Sequence, residues 1–260
     1  LLDAVLLLKL GLAPVLIIAA SLAGNRWGHM VSGWIVGLPL TSAPVILILA
    51  LEQGGEFAAS SAQGSLMGIV SLSAFSLTFC LLALGAGCGW LPPMVAGWGV
   101  FFAFSLILEY VSWPLLPSFA GVVGWLLLVA WLLPRPTTQA SPAASTGTDI
   151  LIRVMAAESL IFAVTEFAPS LGPRLSGLIT PFPIYTSVLA ASIHMRQGAA
   201  QSAEFVRGAT VSLFTPAVFW FIVGSTIVAW GVGFAYAIAI CVSLALHWLL
   251  LKVLRRSSPT

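Results

Sequence analysis

The sequence predicts an all-α polytopic membrane protein of about nine transmembrane helices, built as two inverted four-helix repeats joined by a central fifth helix. Three observations carry this expectation: the composition, the order of apolar windows and cations, and an internal repeat. Of 260 residues, 60% are apolar and 7% charged, against about 45–50% and 25% in a typical soluble domain. A globule of this size could not hide that much apolar surface from water, so a soluble enzyme is excluded. The net charge is +2, and ten scattered cations make no basic stripe for nucleic acid.

A membrane-crossing helix needs about 20 mostly apolar residues. Windows of that kind fall near 3–24, 31–51, 63–84, 92–111, 113–133, 150–168, 176–196, 208–229 and 231–252. Pro92, Pro93 and Pro114 stand where helices start, a position that tolerates proline. Tight turns are expected at Gly85–Trp90, Ser112–Pro114 and Trp230–Gly231. The first window carries Lys9 and lacks a small-residue cleavage pattern, so it is expected to belong to the fold. The one clear linker is 134–148, PRPTTQASPAASTGT, which is polar and proline-containing.

Nine spans put the termini on opposite sides, and the cations then divide eight to two. Arg26, Arg135, Arg153, Arg196, Arg207, Lys252, Arg255 and Arg256 share one side, and Lys9 and Arg174 the other. Lys and Arg concentrate in short cytoplasmic loops, so the linker and the C-terminus are expected in the cytoplasm and the N-terminus outside. Tryptophans near the window ends, among them Trp90, Trp113 and Trp248, fit an interfacial belt. The setting is a bacterial inner membrane, with the lipid bilayer as partner.

The chain repeats itself at an offset of 144 residues: Gly28 recurs as Gly172, Ser32-Gly33 as Ser176-Gly177, Pro39 as Pro183, Gln53-Gly54 as Gln197-Gly198, Gly64 as Gly208, and Lys9 is matched by Arg153. Each copy holds four spans. The first covers 1–111, the spacer helix and linker 112–148, and the second copy with its basic tail 149–260. An odd spacer turns the second copy over, and such inverted repeats recur in secondary transporters.

Within spans two and seven the prolines fall near the centre, Pro39 close to Gly37 and Pro183 after Pro181-Phe182. Pro44 adds another interruption. Backbone groups freed by proline cannot face lipid and must be buried or line a wet cavity. Hydroxyls follow each break: Thr41 and Ser42 in one copy, Tyr185, Thr186 and Ser187 in the other. Paired proline-interrupted helices at matching repeat positions point to a midplane binding site. The competing reading is a pair of simple kinks whose hydroxyls bond back to their own helices.

Glu158 lies near the middle of span six, where a charge is expensive and by default functional; it is the candidate for ion coupling, against a purely structural role. Lys9 and Arg153 either snorkel to the headgroups or draw an anion toward a gate. His194 and His247 fall near helix ends and read as interfacial. Cys80, Cys88 and Cys241 have no metal or disulfide spacing and read as buried small hydrophobes. No metal site or cofactor is expected. The motifs GxxxxGK[ST], HExxH and GxSxG are all missing from the sequence, which argues against an enzyme.

The stretch 176–223 resembles the GlpM-type small bacterial membrane proteins, four-span chains with a Gly-Leu-Ile-x-x-Phe-Pro segment, a downstream Gly and an Arg before the third span. The matching residues are Gly177, Leu178, Ile179, Phe182, Pro183, Gly198 and Arg207. The first copy matches less well, with Gly37-Leu38-Pro39 and Gln63 where the Arg would be. The resemblance implies a four-helix unit and an association with exopolysaccharide production. The four-plus-one-plus-four plan also resembles drug/metabolite transporters, though the tenth span of those is missing.

Two functions follow as expectations. The leading one is a secondary transporter of a small polar or anionic metabolite, with its site at Pro39, Thr41, Ser42, Pro183, Tyr185, Thr186 and Ser187. The other is a non-transporting accessory protein of envelope polysaccharide or lipid assembly. A homo-oligomer stays open. The topology has a direct test. A cysteine introduced at Ser141 should react with an impermeant thiol reagent in inside-out vesicles only, and reaction in intact cells would contradict the nine-span order.

Overall fold

The computed structural model describes residues 8–12, 14–19, 22, 39–85, 87–134 and 147–257. Gly28, Ser32, Gly33, Gly37 and residues 135–146 of the linker lie outside the described residues. Within them every regular element is helical. The helices are α1 (Ser42–Gln53), α2 (Gly55–Gly85), α3 (Leu91–Glu109), α4 (Leu115–Leu132), α5 (Gly147–Ile179), α6 (Ile184–Gln197), α7 (Ala199–Val211) and α8 (Phe214–Ser257). Residues 8–12 and 14–19 are also helical.

Local chemistry explains the boundaries. Pro92 and Pro93 stand in the first turn of α3, and Pro114 caps α4, positions where a missing N–H costs no helical bond. Pro44 lies in the first turn of α1, so it does not interrupt the helix as the sequence suggested. Glu56 occupies the first turn of α2, where a carboxylate complements the helix dipole. Gly54 (φ 89°, ψ 172°) parts α1 from α2, and Gly198 (φ 94°, ψ 177°) parts α6 from α7. Gly172 (φ 76°, ψ 166°) and Gly231 (φ 78°, ψ 165°) bend α5 and α8 in the same way. Side chains rarely tolerate that backbone shape. At Gly172 the extended ψ also suits the proline that follows.

Four stretches of the described residues are long and apolar enough to cross a membrane: Gly55–Gly85, Leu91–Glu109, Leu115–Leu132, and Ala199–Leu246 taken across its turn and its bend. At about 1.5 Å per residue, α2 alone outruns a hydrocarbon core of roughly 30 Å. Helices α3 and α4 turn Val95, Phe102, Leu106, Ile107, Leu116 and Leu127 outward. So broad an apolar exterior suits lipid and not water.

The interior is rich in small and hydroxyl-bearing residues. Trp125 Nε1 donates to Ser73 Oγ at 2.8 Å, and Ser105 Oγ to Ser71 Oγ at 3.0 Å. Helix α2 is the central post, packed against α1, α3, α4, α5, α7 and α8. Its tightest seam uses Ser61, Gly64, Ser65 and Gly68, which the helical period stacks on one face. Ser61 Oγ donates to the carbonyl of Pro173 at 2.8 Å, and Ser65 Oγ to that of Gly177 at 3.1 Å. Small residues let backbones approach this closely, as at many membrane-helix crossings.

The seam yields a paired prediction. A Cβ at Gly64 would meet backbone, with Gly177 Cα at 3.0 Å, Leu178 N at 3.1 Å and the Arg174 carbonyl oxygen closer still. Gly64→Ala should therefore destabilise by about 1–3 kcal/mol. Gly99 of α3 has open space around it, so Gly99→Ala should be neutral or stabilising by roughly 0.5–1 kcal/mol. Unfolding midpoints in detergent measure both, and equal effects would contradict the seam.

Candidate binding cavity between two helix breaks

Turns at Pro39–Thr41 and at Thr180–Pro183 precede α1 and α6. The two breaks restart their helices by the same device. The carbonyl of Pro39 accepts the N–H of Ala43 at 2.8 Å, and that of Pro183 accepts the N–H of Ser187 at 2.8 Å. Inside the second break, the Phe182 N–H donates to Ile179 O at 2.9 Å and the Ile184 N–H to Phe182 O at 2.7 Å. These bonds satisfy part of the backbone that the prolines free.

Aromatic packing fixes the second break in place. The Phe182 ring lies 5.9 Å from Trp98, 5.3 Å from Phe101 and 5.4 Å from Phe102, centroid to centroid, within the range of favourable ring pairs. Trp98 Nε1 also donates to Ser187 Oγ at 3.0 Å, so α3 holds both the break and the start of α6.

The two breaks face one cavity of about 80 Å³. Pro39, Thr41 and Ser42 line it from the first break, and Pro183, Tyr185 and Thr186 from the second. Ile69, Leu72 and Ser76 of α2, Thr210 of α7, and Leu213, Pro216 and Trp220 add to the wall, with Leu40, Pro181, Phe182 and Ala209. Six of the seven residues expected at the site from sequence are thus brought together. The seventh, Ser187, is buried away from the cavity and acts as the acceptor for Trp98.

The lining is chemically plain. No Asp, Glu, Lys or Arg among the described residues contributes to it. Thr210 Oγ1 bonds back to Val206 O at 2.8 Å, and Ser76 Oγ to Leu72 O at 3.1 Å. Thr41 makes no side-chain cap to α1. The kink reading required the break hydroxyls to repair their own helices, and the described residues contain no such bond from Thr41, Ser42 or Thr186.

Charged groups stand one layer behind. Arg153 is fully buried, with its guanidinium carbon 4.7 Å from the Tyr185 ring centroid and Nε donating to Asp149 O at 3.0 Å. It does not snorkel; it braces a cavity side chain through a cation–π contact. Asp149 accepts from Ser192 Oγ at 3.2 Å and pairs with Arg196 Nη2 at 3.4 Å. Lys9 is nearly buried and pairs with Glu52 at 2.6 Å. Glu158 does not line the cavity, and its carboxylate oxygens are shielded without a hydrogen-bond partner among the described residues. Of the cysteines only Cys80 is buried; Cys88 is intermediate and Cys241 exposed, on a surface whose apolar character makes exposure inexpensive. His194 packs edge-on to Phe79 at 6.5 Å.

Sequence reasoning missed the Trp220 and Thr210 walls, the clamp on Phe182, and the Lys9–Glu52 and Asp149–Arg196 pairs. The pairs had a signal: Glu52 and Arg196 stand 144 residues apart, as do Lys9 and Arg153.

Ser187 and Thr186 should separate cleanly on mutation. Ser187→Ala removes the acceptor for a half-buried indole N–H and should lower stability by about 0.5–1.5 kcal/mol. Thr186→Ala, which breaks no internal bond, should leave the unfolding midpoint nearly unchanged. Equal losses would mean that Thr186 supports the fold.

No family model, curated protein or solved structure matches this chain.

Proposed function

We propose that the protein is a secondary transporter of a small polar solute, with its site in the cavity between the two helix breaks. The reading places it in a bacterial inner membrane, N-terminus outside and C-terminus in the cytoplasm. It includes nine spans, the inverted duplication and the GlpM-type relationship. The observation that carries it is the cavity itself, where Thr41 and Ser42 from one proline break meet Tyr185 and Thr186 from the other. Broken helices contributing polar groups to one central cavity are the usual construction of a carrier site.

The duplication draws support from the backbone. Gly54 and Gly198, 144 residues apart, share one conformation, and so do Gly87 and Gly231 in the sign of φ. The prolines that start α1 and α6 stand at the same offset and accept the same kind of bond. Equivalent breaks related by inversion would give the cavity one route to each side of the membrane.

The lining narrows the solute. With hydroxyls and aromatic or aliphatic walls, it suits a neutral polar molecule better than an anion, whose charge would need a cationic partner in a low-dielectric site. At about 80 Å³ the cavity is well under the roughly 300–1,000 Å³ of drug-sized pockets. A molecule of a few heavy atoms fits it. Glu158, half-buried with its carboxylate oxygens shielded and apart from the cavity, is assigned to ion coupling and not to solute contact.

The test uses purified protein and a thermal-shift screen of small neutral polyols, amides and amino acids, with small carboxylates and phosphate as the anionic arm. A neutral solute should raise the midpoint, and Thr41→Ala or Thr186→Ala should weaken its binding about two- to tenfold for one lost hydrogen bond. In proteoliposomes Glu158→Gln should stop gradient-driven uptake while leaving solute exchange intact. Binding indifferent to both hydroxyls would overturn the site. Full uptake by Glu158→Gln would remove that residue from coupling.

A further inference from the structure

Two ion pairs that join separate helices among the described residues are arranged alike. Lys9 Nζ meets Glu52 Oε1 at 2.6 Å, and Arg196 Nη2 meets Asp149 Oδ2 at 3.4 Å. Glu52 and Arg196 each stand two residues before a positive-φ glycine, Gly54 or Gly198, that ends a short helix. Those short helices, α1 and α6, carry the cavity hydroxyls at their opposite ends. The partners Lys9 and Asp149 lie on the helix that opens each copy. Lys9 corresponds to Arg153, one turn beyond Asp149. The signs are exchanged: the acid is on the short helix in the first copy, and the base in the second.

Each pair therefore ties down the far end of a short helix whose near end lines the cavity. A proline break at one end and a glycine at the other leave such a helix few backbone bonds to its neighbours. The charge-assisted contact is the obvious polar tie at that end. Lys9 and Asp149 are nearly buried while Arg196 is exposed, so opening either pair separates one shielded charge from its counter-charge, a cost that favours re-forming.

We propose that Lys9–Glu52 and Asp149–Arg196 are two latches, one for the outer and one for the inner mouth of the cavity. This rests on the transport reading, since the inverted repeat puts Glu52 and Arg196 on opposite sides of the membrane. Release of Lys9–Glu52 frees α1 and opens the cavity outward. Release of Asp149–Arg196 frees α6 and opens it inward.

The experiment places a reporter, Thr210→Cys, in full-length protein whose Cys80, Cys88 and Cys241 are replaced by Ala. Labelling by an impermeant methanethiosulfonate is timed in right-side-out and inside-out vesicles. The parent should label from both sides. Glu52→Gln should raise the outside-to-inside rate ratio about tenfold, the ratio that about 1.4 kcal/mol of bias produces, and Asp149→Asn should lower it by a similar factor. The exchange Lys9→Glu with Glu52→Lys should return the parental ratio. If Glu52→Gln fails to reach the membrane, Lys9→Gln opens the same latch from its other partner. A parent that labels from both sides with a ratio unmoved by the variants, or moved the same way by both, overturns the latches alone. A parent that labels from one side only, or from neither, overturns alternating access and the latches with it.

Discussion

The architecture depends on one close crossing, where α2 meets the segment 173–181 through Gly64 and Gly177 with almost no side chain between them. Everything near the cavity is measured from that contact. It fixes the second break beside α2, and Gly68 continues it, with room for a Cβ denied by Pro181 Cγ at 2.6 Å and Leu178 O at 2.7 Å. Ser61 and Ser65 add hydrogen bonds to carbonyls in that segment. In a bilayer no hydrophobic effect draws apolar helices together, so packing and such bonds must do it. The outer helices α3 and α4 then close around the post, and α3 clamps Phe182 from the other side.

A second constraint follows from the prolines. Each break frees polar backbone that lipid cannot satisfy, so breaks must be gathered inside. Bringing both to one place concentrates their groups around a shared space, and the hydroxyls that follow each break fall there as a consequence. The charges then sort into a layer behind: Arg153 supports Tyr185, and the ion pairs hold the far ends of α1 and α6. A cavity with a neutral lining, surrounded at a distance by paired charges, can take a polar molecule without stranding an ion in a dry interior.

Much of this was legible in the sequence. Helical class follows from composition, and the starts of α3 and α4 follow from Pro92, Pro93 and Pro114. The convergence of Pro39 and Pro183 was readable because two copies of one pattern were found at a fixed offset. Other features depend on what lies opposite in space. Ser187 looked like its neighbour Thr186, yet the helical turn points it at Trp98 and away from the cavity. Pro44 looked like a second interruption, but the helix begins so late that proline falls harmlessly in its first turn. Thr210 and Trp220 reach the cavity from α7 and α8, helices that no paired proline break marks. The small-residue face of α2 was visible as spacing, while its partner was not.

The central claim is that the cavity is a site of alternating access for a small polar solute. Counterflow in proteoliposomes tests it most directly, because it needs no gradient of a coupling ion. Vesicles preloaded with a high concentration of unlabelled solute are diluted into a trace of the labelled one. A carrier exchanges the two, so label should accumulate transiently above its outside concentration and then decline. Label that only rises to equilibrium, or does not enter at all, would contradict the account.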